Sequence, residues 1–163
     1  MRNLFLSLAL TGALLLPFGV AQANDSIPVH VDLTGCENIT STRTAGHIIF
    51  DTGVGVETWI GSFSGSFAST ERDTIYPDGT VRFRTSGTFS GQVAGQAGSF
   101  AATFEGVALP DGSFSGHWVA HQGSGELQHL QAQGDFSGGP ANPRPGCDVP
   151  YRGTFSGAMH FEA

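Results

Sequence analysis

Apolar and polar positions alternate one by one along most of this chain. The clearest case is a five-residue pattern, Gly-x-Phe-Ser-Gly, which occurs at 61–65, 87–91, 112–116, 134–138 and 153–157. In an extended strand successive side chains point to opposite faces. The two glycines and the Phe therefore share one face, and the x and Ser positions share the other. The rule extends outward. Val81, Phe83, Gly87 and Phe89 share a face against Arg82, Arg84, Ser86, Thr88 and Ser90. Phe100, Ala102 and Phe104 go with Gly98 and Gly106. Phe114, Gly116, Trp118 and Ala120 go together, as do Gly153, Phe155, Gly157, Met159 and Phe161. This is a period of two, so the pattern predicts strands and no helix beyond the first two dozen residues.

Turn chemistry agrees. Pro77-Asp78-Gly79 and Pro110-Asp111-Gly112 predict tight turns, with Pro presetting φ and Gly taking the positive-φ site. Gly95–Gly98 and Gly123–Gly125 predict shorter hairpin links. The Pro/Gly-rich run Gly138–Pro150 predicts a loop before the last strand, pinned by Cys147. Successive repeat Phe residues are 26, 25, 22 and 19 apart, which indicates a meander rather than a solenoid. Large side chains alternating with glycine on the buried face suit a small closed antiparallel barrel, where rings interdigitate in a narrow interior. A β-sandwich with the same alternation remains open. An outer-membrane barrel would put the Phe face toward lipid, but only two Trp and two Tyr are available for its aromatic girdles.

The first residues do not belong to this pattern. Arg2, the apolar run Leu4–Leu16, Pro17 and Ala21-Gln22-Ala23 read as a secretory signal peptide over 1–23, cleaved after Ala23. The expected mature chain is one domain over 24–163, secreted or periplasmic, with no integral membrane segment. Cys36 and Cys147 are expected to pair in such a compartment, tying the start of the domain to its end. Acids outnumber bases 14 to 7, and every base is Arg. That balance argues against nucleic acid as a partner, which needs a basic footprint.

The stretch Gly112–Gly138 carries Gly116-x-Trp118, then Gly123-Ser124-Gly125-Glu126-Leu127, then Leu130 and Gly134-x-Phe136, preceded by Gly91–Phe100. Over roughly residues 58–138 this resembles a bacterial family of uncharacterised proteins with the allene oxide cyclase-like barrel, the fold also used by dirigent proteins. The resemblance implies about eight antiparallel strands, an internal cavity and a homotrimer, with a homodimer as the other expectation. Its motifs are glycines and core aromatics. The catalytic motifs of allene oxide cyclases do not appear here.

Candidate chemistry is sparse, and no metal site or cofactor is expected. Glu57 shares parity with Trp59 and Phe63, which would place an acid toward the interior, where burial raises its pKa and suits it to proton transfer. Glu126 shares parity with Leu130 and Phe136 near the rim. These two are the candidate acid–base residues. Asp51, Glu71 and Asp73 lie near turns and are expected to be solvated. His117, His121 and His129 could converge on an outer face, although two histidines four apart on a strand stand about 13 Å from each other. Arg82 and Arg84 are expected to pair across strands with acids such as Glu105. Trp59, Phe63, Phe83, Phe89, Phe104, Phe114 and Trp118 form the expected lining of an apolar ligand site. Three functions fit: binding of a small apolar or aromatic ligand, cofactor-free cyclase or isomerase chemistry, or a non-catalytic envelope protein with a filled interior. Of the thirteen Phe, the eleven beyond the leader are enough to fill a barrel this small.

Overall fold

A computed structural model describes residues 26–162, so the expected signal peptide lies outside the described residues. No helix is present among them. Eight strands follow one another as β1 (Ile27–Ala45), β2 (Ile48–Gly61), β3 (Phe63–Ile75), β4 (Val81–Val93), β5 (Gln96–Ala108), β6 (Phe114–Gly125), β7 (Leu130–Pro140) and β8 (Val149–Phe161). Each pairs antiparallel with the next, and β8 pairs with β1. One sheet thus closes into a ring, which removes the sandwich alternative. Phe63, Phe67, Phe89, Phe100, Phe104, Phe136 and Phe155 are buried inside the ring, so the lipid-facing arrangement is not the one adopted.

The repeat has a structural meaning that its sequence alone does not disclose. Its glycines meet glycines on neighbouring strands: Gly65 with Gly91, Gly91 with Gly98, Gly134 with Gly157 and Gly138 with Gly153. Several of its rings meet rings, Phe89 with both Phe67 and Phe100 and Phe136 with Phe155, whereas between β6 and β7 Phe114 faces Gly138 and Phe136 faces Gly116. A Cβ added at Gly91 would lie 2.3 Å from the Ser64 carbonyl oxygen and 2.7 Å from the Phe89 ring. The glycine rows are therefore where neighbouring backbones bend closest and where phenyl rings lie flat over the strand.

The ring is solid at one end. Val29, Val93, Leu127, Leu130 and Met159, all nearly inaccessible, close it. Above them sits an aromatic layer centred on Trp59, whose ring centroid is 4.8 Å from Phe155, 4.9 Å from Phe67 and 5.0 Å from Phe89. Phe63, Phe100, Phe104 and Trp118 complete the layer.

The other end is open. It is bordered by the β3–β4 turn, the β5–β6 turn and the loop 141–148. Gly79 and Gly112 take φ of +84° and +83°, as the two Pro-Asp-Gly triplets predict. Cys36 and Cys147 form a disulfide that ties this loop to β1. Two hydrogen bonds reinforce it: Ile39 N–H to Asp148 Oδ2 at 2.9 Å, and Asp148 N–H to Asn38 Oδ1 at 3.2 Å.

Two predicted links move. The β4–β5 turn is Ala94–Gly95, both with positive φ, and Gln96–Gly98 is already strand. Gly123–Gly125 belongs to β6, and the chain reverses over the four residues 126–129 instead. On the outer face Arg84 pairs with Glu105 at 2.7 Å, the cross-strand neighbour expected.

Candidate functional site

The open end holds a cavity of about 420 Å³. Its two walls differ in chemistry. One is apolar and comes mainly from β4 to β7: Phe83, Phe104, Ala108, Phe114 and Phe136, with Val81 and Leu109 near the rim. The other comes from β1, β2, β3 and β8, and carries Glu37, Asp51, Glu57, Glu71, Asp73 and Tyr151.

The acids reach inward because period two runs to the strand ends. On β3, Phe67, Ser69, Glu71 and Asp73 share a face, and on β2, Asp51, Glu57 and Trp59 do. Glycines make room for them. A Cβ at Gly53 would come 2.1 Å from Glu37 Oε1, and one at Gly35 would come 2.3 Å from the Tyr151 ring. On these strands the alternation of large with nothing persists, with carboxyls and a phenol in place of Phe.

Glu57 lies deepest, 6% exposed. It accepts hydrogen bonds from Trp59 Nε1–H and from the Tyr151 hydroxyl, the latter at 2.7 Å. Burial lifts its pKa to about 7, although both donors pull it down, and the charge of Glu71 adds to the rise. The Tyr151 phenol is pushed up by burial and by the neighbouring Glu57 charge. The Thr85 hydroxyl donates to Glu71 Oε1. Glu37 is pushed up to about 9, first by burial and then by Glu71, whose carboxylate it faces within hydrogen-bonding contact, with Asp73 and Asp51 adding to the effect. Asp73 rises to about 7 by burial and by the charges of Glu71 and Asp51. Glu37 Oε1, Asp51 Oδ1 and Asp73 Oδ1 are buried atoms without a hydrogen-bond partner.

Acids whose folded pKa is raised bind more protons folded than unfolded between their ordinary values, 4.5 for Glu37 and Glu57 and 3.8 for Asp73, and their folded ones. Their contribution is fully present below the unfolded pKa and is lost as pH rises through about 7 for Glu57 and Asp73 and about 9 for Glu37. The protein is therefore expected to be more stable at pH 5 than at pH 8, as urea denaturation would show. Glu37→Gln is expected to gain on the order of 1–3 kcal/mol over wild type near pH 9 and little at pH 5. A wild type that gains stability between pH 5 and pH 8 would contradict this electrostatic picture.

The sequence-based candidates divide. Glu57 lines the cavity, as do Phe83, Phe104 and Phe114. Trp59, Phe63, Phe89 and Trp118 do not, being packed in the solid layer beneath. Glu126 stands exposed at the opposite end, where its Oε2 accepts from Ala97 N–H at 2.7 Å. The four-residue turn breaks the period there, so Leu127 points inward in its place. Asp51, Glu71 and Asp73 are not the solvated turn acids expected. Glu71 is buried, the other two are half-buried, and all three line the cavity. Sequence reasoning also missed Glu37 and Tyr151. Their signal was parity with Leu33 and Phe155. His117 pairs with Asp135, and His129 lies against Gln128. Among the described residues no three His, Cys, Asp or Glu side chains gather in a metal-holding arrangement.

No family model matches the chain, and no curated protein does. Among solved structures, it is similar to a protein of unknown function of the DUF3224 family from Shewanella oneidensis. The TM-score is 0.67 at 16% identity, covering 85% of this chain and 99% of the other. At that identity the likeness is one of fold alone. The disulfide is consistent with an extracellular or periplasmic protein.

Proposed function

We propose that the protein binds a small ligand with an apolar or aromatic body in the open half of its ring. The observation that carries this reading is the cavity of about 420 Å³, which opens at one end only and has Phe83, Phe104, Phe114 and Phe136 along one wall. Its size falls within the range of small-molecule sites. The interior is filled below and vacant above, so a wholly solid barrel is the weaker alternative. The finer likeness to the allene oxide cyclase-like barrel belongs to this proposal. Eight antiparallel strands closed around a cavity support it. Secretion after cleavage at Ala23 belongs to it as well, supported by the leader pattern and the disulfide.

A neutral hydrophobic dye such as Nile red tests the reading. Wild type is expected to take it up with a blue shift. Ala108→Trp, which fills the apolar wall from its half-buried position on β5, is expected to weaken uptake at least tenfold with an unchanged circular dichroism spectrum. Uptake that Ala108→Trp leaves intact, or no uptake by wild type, would count against the cavity.

Glu57 favours a second reading, cofactor-free isomerase or cyclase chemistry. A buried carboxyl whose pKa is about 7, held by two donors at the cavity floor, is suited to take and return a proton. Glu57→Gln is then expected to keep ligand binding and abolish turnover of a bound compound recovered from the native protein.

A further inference from the structure

The polar half of the cavity specifies what a ligand must bring. Five carboxyl groups face it: Glu37 from β1, Asp51 and Glu57 from β2, and Glu71 and Asp73 from β3. The remaining polar side chains of the wall are the hydroxyls of Thr85 and Tyr151, and each of these already donates to one of the acids. No Arg, Lys or His lines the cavity. Among the described residues the acids therefore have no cationic partner.

The second observation is independent of the clustering. Glu37 is 6% exposed, and its Oε1 is held above Gly53 with no hydrogen-bond partner. Asp51 Oδ1 and Asp73 Oδ1 are also buried and unpartnered. A buried acceptor left unmatched carries a desolvation penalty of about 1–3 kcal/mol. Three of them around one cavity mark a place where donors come from outside the chain.

From these acceptors and the facing Phe wall, we infer that the ligand carries a positively charged organic nitrogen, an ammonium group on an apolar or aromatic body. This rests on the reading of the cavity as a binding site and adds the class of molecule it takes. A protonated amine supplies N–H donors to Glu37, Asp73 and Asp51 and the charge that the acid wall lacks. The rings of Phe83, Phe114 and Phe136 receive its hydrocarbon part and attract the cation through their faces. An anion meets repulsion from every polar side of the site. A small inorganic cation is disfavoured because the acids are spread along three strands and do not gather round one point. Glu37 and Asp73 take up protons when no cation is present, so binding displaces protons to solvent. The groups that set this exchange are Glu37, Asp51, Glu57, Glu71, Asp73 and Tyr151.

Isothermal titration of the purified protein with four probes tests the inference: 2-phenylethylamine, 2-phenylethanol, phenylacetate and calcium chloride. At pH 8 the amine is expected to bind at least tenfold more tightly than the alcohol, and phenylacetate to show no binding. Amine binding is expected to release protons, seen as a heat that changes with buffer ionisation enthalpy, and to tighten from pH 6 to pH 8. Glu37→Gln and Asp73→Asn, each checked for fold by circular dichroism, are expected to remove the preference for amine over alcohol, whereas Ala108→Trp is expected to weaken both. Equal affinity for amine and alcohol would overturn the charge assignment and leave the cavity reading standing. Preference for calcium would overturn it too. Failure of every probe together with failure of Nile red would remove both.

Discussion

Trp59→Ala is expected to destabilise the protein by about 3–5 kcal/mol, measured as a shift in urea midpoint at constant slope. Trp59 is 1% exposed and stacks on Phe67 and Phe89 while meeting Phe104 and Phe155 edge-on. Its removal leaves a void that surrounding rings, each anchored on a different strand, cannot collapse to fill. The indole also donates to Glu57, and that bond lowers the Glu57 pKa. The same substitution is thus expected to push Glu57 further up. Trp59→Phe separates the two effects. It keeps most of the packing and is expected to lose only about 1–3 kcal/mol, while raising the Glu57 pKa as the alanine variant does. A Glu57 titration that ignores both substitutions would break the link drawn between the aromatic layer and the cavity floor.

Loss of the disulfide has an effect of similar size. Cys36 and Cys147 are 111 residues apart, and closing a loop of that length stabilises by about 4–5 kcal/mol on the chain-entropy account. Cys36→Ser with Cys147→Ser is expected to approach that loss, and reductant is expected to do the same to wild type. The bond also stands beside the β1–β8 pairing, where Cys36 faces Pro150 and Glu37 faces Val149. Freeing the loop 141–148 loosens the start of β8 and with it Tyr151, so Nile red uptake is expected to weaken with stability. A loss below 1 kcal/mol would mean that the Asn38 and Asp148 hydrogen bonds hold the loop alone.

The strands were legible in the sequence wherever a face alternates Phe with Gly, because that pattern is local and its period is two. Glu57 was legible for the same reason, two residues from Trp59. Glu71 and Asp73 carried the same signal, but nearness to a Pro-Asp-Gly turn suggested solvent. The strand keeps its inward face up to Ile75, and the cavity rather than bulk water receives those acids. Tyr151 meets Glu57 across 94 residues of sequence. That contact exists only because β8 returns to β1 beside β2, and no local pattern reports ring closure. Glu126 was misplaced by the opposite error, a period carried through a turn that interrupts it.

The glycine rows bear on assembly as well as packing. On β4 and β5, where Phe89 faces Phe100 and Gly91 faces Gly98, a slide of two residues would set Phe89 against Gly98 or Ala102 and break up both the ring row and the glycine row. Alignment between neighbours is therefore specified strongly. Choice of neighbour is not, since β4, β7 and β8 all carry the same signature and each matches the others. Short links give each strand its sequence neighbour as a partner, but β8 has no link to β1. There β1 offers Val29, Val31 and Leu33 opposite Gly157, Phe155 and Gly153, and β6 likewise sets Phe114 and Trp118 opposite Gly138 and Gly134 of β7. The Cys36–Cys147 disulfide supplies at this seam the covalent tie that turns supply elsewhere, and so favours one closed molecule over strands traded between copies.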